Sequence, residues 1–155
     1  RKLASTPHDL HFVFSVQEEV GLRGARTSAY GVDPEVGIAI DVTIAADTPE
    51  APKMAMKLGA GPCIKVKDGR MLAHPGVKDL LINTAEAHGL PYQLEVLAHG
   101  STGAAAIQLV RSGVPAGTVS IACRYVHTQS EMVDINDVEN AVKLLVAVLA
   151  SPFEL

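Results

Sequence analysis

Val36-Gly37-Ile38-Ala39-Ile40-Asp41-Val42 is apolar along nearly its whole length and breaks that character once, at Asp41. Its branched residues predict a strand. The missing in-and-out alternation predicts a strand covered on both faces, as in a sheet held between helices. Upstream, Leu10 to Val16 (LHFVFSV) reads as another strand. Downstream, Cys63 to Val66, Tyr92 to Leu97 and Thr118 to Ala122 read as three more. Helical patterns lie between and after them. One places Val77, Leu80, Leu81, Thr84 and Ala85 on one face of Val77 to His88. A second, Thr102 to Arg111, is Ala-rich, with Gly113 to stop it. The last carries Val138, Ala141, Val142, Leu145, Val148 and Leu149 as a stripe, with Asp134 as N-cap, Asp137 in the first turn and Pro152 beyond the end. This alternation predicts an α/β domain of three layers, helix–sheet–helix, around a mixed, mostly parallel sheet. Thr43 to Gly61 holds Pro49 and Pro52 and reads mostly as loop. A long loop after a strand is where an α/β fold builds its site.

The 155 residues fit one domain with a sizeable core. Hydrophobic residues are 48% and charged residues 19%, which favours a globular chain over a disordered one. The net charge of −4, without a basic cluster or aromatic platform, argues against nucleic-acid binding. No apolar run approaches a membrane span, and no signal region follows Arg1-Lys2-Leu3-Ala4-Ser5, so a cytoplasmic protein is expected. Cys63 and Cys123 sit in apolar stretches and read as buried free thiols.

The chemistry concentrates at three places. Gln17-Glu18-Glu19-Val20-Gly21-Leu22-Arg23-Gly24-Ala25 sets two adjacent carboxylates before glycines that permit a tight turn into a helix. Adjacent carboxylates repel unless a cation compensates. In metal-assisted hydrolysis one coordinates the metal and another takes the proton of water. Alone, the pair reads first as a solvated acidic turn, since strand ends are usually exposed. Asp41 is costly in its apolar run unless it is paired or on a metal, though a strand-end turn would also accept it. In Arg124-Tyr125-Val126-His127-Thr128-Gln129-Ser130-Glu131, His127 is a candidate ligand beyond a strand. Glu131 is a candidate for orienting it, and Asp47 for orienting the site. Together Glu18, Glu19, Asp41 and His127 would form one acidic, histidine-containing pocket at strand ends, suited to zinc, cobalt or manganese. Gly59-Ala60-Gly61-Pro62 lacks a following phosphate-loop lysine and reads as a turn.

With these residues the chain resembles the tetrahedral (TET) metallo-aminopeptidases, also filed under glutamyl aminopeptidase and cellulase M. The matching stretches are VQEEVGLRGA at Val16 to Ala25, AIDVTIAADTPE at Ala39 to Glu50, KLGAGPCIKVKDGRMLAHP at Lys57 to Pro75, LPYQLEVL at Leu90 to Leu97 and RYVHTQSEMVDINDVENAVKLL at Arg124 to Leu145. The resemblance implies that residues 1–155 are the C-terminal part of a metallopeptidase catalytic domain, without the family's dimerisation domain. It implies Glu18 as general base, Glu19 and His127 on one metal, and Asp41 on the other. It further implies two divalent ions, zinc or cobalt, short peptides cleaved at the N-terminal residue, and assembly through dimers to a dodecamer. Two family ligands, a histidine and a bridging aspartate, precede the double glutamate and are expected outside this chain. Gly100-Ser101-Thr102-Gly103 stands where the family reads Gly-Gly-Thr-Asp, and Thr128-Gln129 follows His127 where Ser-Pro is common. Two other readings compete. One is an endoglucanase-type glycosidase, for which adjacent glutamates are poorly placed because its two carboxyls stand about 5 Å or more apart. The other is a non-catalytic relative that only binds peptide.

Overall fold

The computed structural model describes residues 2–155. The elements run α1 (Arg23–Val32), β1 (Gly37–Ile44), β2 (Cys63–Lys67), α2 (Pro75–Ala87), β3 (Gln93–Val96), α3 (Gly103–Ile107), β4 (Ala116–Arg124), β5 (Met132–Val133) and α4 (Ile135–Ala150). The sheet order is β1-β4-β2-β3, with β5 on β4. β1 runs parallel to β4 and β2 parallel to β3, whereas β2 and β5 are antiparallel to β4. The sheet is thus mixed, and the parallel ladders carry most of its register.

Side chains alternate across a strand, so each face of the sheet can be read from the register. On one face Ile64 and Val119 meet Val77, Leu81 and Ala85 of α2 and Ala141, Leu144 and Val148 of α4 in the main core. Gly117 of β4 lets α2 come this close, because a Cβ there would stand 2.6 Å from Val77 Cγ1. On the other face Ala116 and Ala39 meet α3 and Leu22, and Ala29 of α1 packs on Val110 and Val114. The long segment after β1 covers the rest of that face, where Ala45 and Met56 close over Cys63 and Ala122. Helices on both faces make the expected three layers.

Three expectations need correction. Leu10 to Val16 forms no strand: no ladder pairs it, and Phe12 and Phe14 are 77% and 96% exposed. A β-rich stretch becomes a strand only where an edge receives it. The helix expected over Thr102 to Arg111 stops at Ile107 and continues as turns, with Arg111 in left-handed backbone. In α4 the buried stripe is Asp137, Ala141, Leu144 and Val148, while Val142 is 37% exposed. The helix is rolled to bring Leu144 into the main core, and to turn Asp137 inward.

Asp134 caps α4 as expected, accepting from Asn136 N at 2.8 Å. Asp137 does more than face the helix dipole. Its carboxylate accepts from Gly59 N at 2.8 Å and Gly61 N at 2.7 Å, so it clamps the glycine turn from below. Gln93 grips the same loop by accepting from Lys57 N and donating to Lys57 O and Gly61 O. The loop over 45–61, two residues shorter than the sequence suggested because β1 runs on to Ile44, is therefore pinned at several points. Both cysteines are free and buried, and burial, aided by the nearby Glu95 and Asp137 charges, pushes the Cys63 thiol up to about 12. No helix among the described residues is long and apolar enough to cross a membrane.

Candidate metal centre

The double glutamate lies on a turn, not at a strand end. Gln17 adopts left-handed backbone, and Gly21 N and Leu22 N both donate to Glu18 O, at 3.1 and 2.9 Å. The chain then doubles back so that Gly24 N donates to Val16 O at 2.9 Å. Position 24 has to be glycine for this crossing, since a Cβ would stand 2.4 Å from Val16 N. The motif's glycines thus shape the turn that presents Glu18 and Glu19 ahead of α1.

His127 lies just beyond β4, in left-handed backbone with φ 64°, after Tyr125 at φ 59°. Strained backbone of this kind needs support from its surroundings. Glu131 supplies part of it: Oε1 accepts from His127 N at 2.7 Å. Glu131 therefore orients the backbone of His127, not the ring that the sequence suggested. Arg124 anchors the base of the turn through a two-pronged pair with Asp47, at 2.8 and 2.9 Å, and Asp47 also accepts from Leu58 N at 3.1 Å. The Arg124 hydrogen bonds hold the Asp47 carboxyl below the usual carboxylate range. Asp47 is thus a brace between the loop and the end of β4.

The turns bring two of the expected ligands together. His127 Nε2 stands 2.9 Å from Glu19 Oε1, and both side chains are 70% exposed. Burial first, then the charges of Asp41 and Glu19, raise the Glu18 carboxyl above its usual range, while His127 opposes the rise. Asp41 projects from within β1, half-buried, and its Oδ1 accepts from Val42 N at 2.8 Å. Burial raises its carboxyl too. The Val42 amide and the Lys65 charge oppose that rise, and Glu19 and Glu95 add to it.

The expectation of one converged pocket holds only in part. Among the described residues no three of His, Cys, Asp and Glu stand close enough together to hold a metal. Asp41 is fixed by its own strand, whereas Glu19 and His127 ride on turns, so they meet each other and not Asp41. The donor set still fits a divalent cation in its chemistry, with carboxylate oxygens and an imidazole nitrogen. The two raised carboxyls mark a place where positive charge is wanted. Gly103 opens α3 against Ala25 and Ala39, with 3.3 Å from a would-be Cβ to Ala25 Cβ. The turn expected at Gly59 to Gly61 is present, and Asp137 occupies its amides.

Sequence reasoning passed over one group on this face of the sheet. Lys65 and Glu95 are both wholly buried and paired, and Thr43 joins them. The signal was Lys65 flanked by Ile64 and Val66 inside β2, and Glu95 between Leu94 and Val96 in β3.

Comparison with known proteins bears on the family and the fold. The family model described as M42 glutamyl aminopeptidase matches residues 1–144. A putative aminopeptidase of Acetivibrio thermocellus is 48% identical over 94% of this chain and 44% of its own length. An aminopeptidase structure from the archaeon Desulfurococcus kamchatkensis superposes with a TM-score of 0.85 at 48% identity, over 88% of this chain and 39% of that one. The structure of PhTET1, solved as a dodecamer, superposes with a TM-score of 0.77 at 32% identity, over 87% of this chain and 39% of that one. The chain spans less than half the length of these relatives. By sequence across nearly its whole length and by fold, the chain belongs to the M42 glutamyl aminopeptidase family.

Proposed function

We propose that residues 1–155 form the C-terminal part of the catalytic domain of a two-metal aminopeptidase that removes N-terminal residues from short peptides. The observation that carries the reading is the Glu19–His127 contact at 2.9 Å beside a Glu18 carboxyl raised by burial and by Asp41. Glu19 and His127 would hold one ion and Asp41 the other, with the remaining donors supplied by polypeptide outside these residues. Zinc and cobalt suit this mixture of oxygen and nitrogen donors. When bound, the ions would supply Lewis acidity and ease the deprotonation of water.

Glu18 is the base. Its raised carboxyl is better matched to proton transfer near neutrality than an ordinary glutamate. It takes the proton of the attacking water and returns it to the departing amine. Glu131 and the Asp47–Arg124 brace keep the His127 turn in place while this happens. The free amino group of the substrate would sit among the acidic side chains, which limits cleavage to the first residue. Self-association through dimers to a dodecamer is part of the same proposal, supported by the dodecameric PhTET1 structure.

Glu18→Gln in the metal-loaded protein tests the assignment. Loss of peptide hydrolysis by about 100-fold or more, with metal content unchanged, is expected if Glu18 is the base. Full activity in that variant would end the proposal for Glu18.

A further inference from the structure

The face of the sheet that carries Asp41 also carries a buried polar row. Asp41 is in register with Ser120, Ser120 with Cys63, and Lys65 with Glu95. Alternation then places Asp41, Thr43, Ser120, Cys63, Lys65 and Glu95 on one face. The Lys65 ammonium donates to Glu95 Oε1, and neither side chain has any exposure. The same oxygen accepts from Thr43 Oγ1 at 2.6 Å. Glu95 Oε2 and Ser120 Oγ are buried without a hydrogen-bond partner.

This is an expensive arrangement. Desolvating each ion costs several kcal/mol, and apolar residues of similar volume often serve stability as well or better. An unpartnered carboxylate oxygen adds to the cost. The row therefore gives the fold little that aliphatic side chains would not. Its geometry gives something else. Among the described residues β1 has one ladder partner, β4, and its other edge is unpaired. The Thr43–Glu95 hydrogen bond runs from β1 across β4 and β2 to β3, at the far side of the sheet. It grips β1 two residues beyond Asp41, on the same face.

We propose that Lys65, Glu95 and Thr43 form a positioning unit for Asp41: Lys65 fixes the Glu95 carboxylate, Glu95 fixes Thr43, and Thr43 fixes the part of β1 that presents Asp41 to its ion. The inference rests on Asp41 being a metal ligand. Lys65, Glu95 and Thr43 touch neither ion nor substrate; they act through the strand. Such outer partners of a metal site are typically worth about 10–100-fold in metal affinity.

The test is calorimetric titration of the metal-free, full-length protein with cobalt, read together with the visible absorption of the bound ion. Thr43→Val should weaken one of two binding steps about ten-fold and alter the cobalt spectrum, leaving the other step unchanged. Thr43→Ser, which keeps the hydroxyl, should restore both. The paired replacement Lys65→Met with Glu95→Leu should unfold in urea no earlier than the parent, yet show the same loss at the same step. Parental binding of both ions by Thr43→Val and by the paired variant would overturn the proposal and leave the row a structural feature only. Asp41→Asn separates the two levels of the argument. If it too binds both ions normally, the reading of Asp41 as a ligand is wrong and the positioning proposal falls with it.

Discussion

Gly24→Ala sets two known effects against each other at the turn that carries Glu18 and Glu19. Position 24 is in the first turn of α1, where alanine is intrinsically favoured over glycine by up to about 1 kcal/mol. Against this, the new Cβ would lie 2.4 Å from Val16 N and 2.5 Å from Val16 O, where real Cβ atoms essentially never come within 3.0 Å. The obstacle is backbone, so it cannot rotate aside. The Val16 segment must move by at least about 0.6 Å, and the 2.9 Å bond from Gly24 N to Val16 O lengthens or breaks. Overpacking of this kind costs about 1–3 kcal/mol and the lost hydrogen bond about 1 kcal/mol more. The clash outweighs the propensity gain, and a net destabilisation of about 1–3 kcal/mol is expected. Urea unfolding followed by circular dichroism would show it as a lower midpoint. Peptide hydrolysis by the metal-loaded protein should fall too, because the displaced segment leads directly into Glu18. A midpoint equal to or above the parent's would refute the reasoning, since it would mean that the turn has room the structure denies it.

Other consequences are open to direct measurement. Asp137→Ala removes the acceptor of two loop amides, one of them buried, and should cost about 3–5 kcal/mol in urea unfolding, with Asp137→Asn losing roughly half as much; an unchanged midpoint in the alanine variant would show that the loop is held without it. The folded chain binds protons at Glu18 and Asp41 more tightly than the unfolded chain does, since both carboxyls are raised. The stability of the metal-free protein should therefore fall as pH rises from the ordinary carboxylate range through those raised values. Glu18→Gln should reduce that slope, and a slope identical to the parent's would count against the raised carboxyl. With its thiol pushed to about 12 by burial, Cys63 should resist iodoacetamide at pH 8 until the chain is unfolded, and rapid labelling of the native protein would contradict its burial.

Much of the fold was legible because periodicity and capping are local. Asp134, the Val77–Leu81–Ala85 face and the apolar runs at Cys63 and Thr118 each announce their element within a few residues. Pairing is not local, and Leu10 to Val16 shows the limit: its β-rich composition says what it could do, yet among the described residues no strand pairs with it. The candidate site divides in the same way. Glu19 and His127 were legible as residue types, but they meet on turns that use left-handed Gln17, Tyr125 and His127, and no glycine marks those positions in the sequence. Lys65, Glu95 and Thr43 went unseen because three residues on three strands become neighbours only once the strand order is known. The resemblance to a known family supplied roles for individual residues, which no spacing in this chain could have assigned.

The register of β1 against β4 also bears on when the site can come into being. Gly37 is matched to Ala116 and Ile44 to Cys123, with β2, α2, β3 and α3 all lying between them in the chain. Closing so large a loop is entropically slow, and contacts this distant in sequence set the pace of folding. The helices and the β2–β3 pair, which are closer in sequence, can form earlier. Asp41 reaches its place beside Ser120 only when this long-range ladder forms, so the proposed site at Asp41 would be completed late in folding. Until then β1 is an unclaimed apolar strand, and the interval before β4 arrives is when the molecule is most exposed to mispairing.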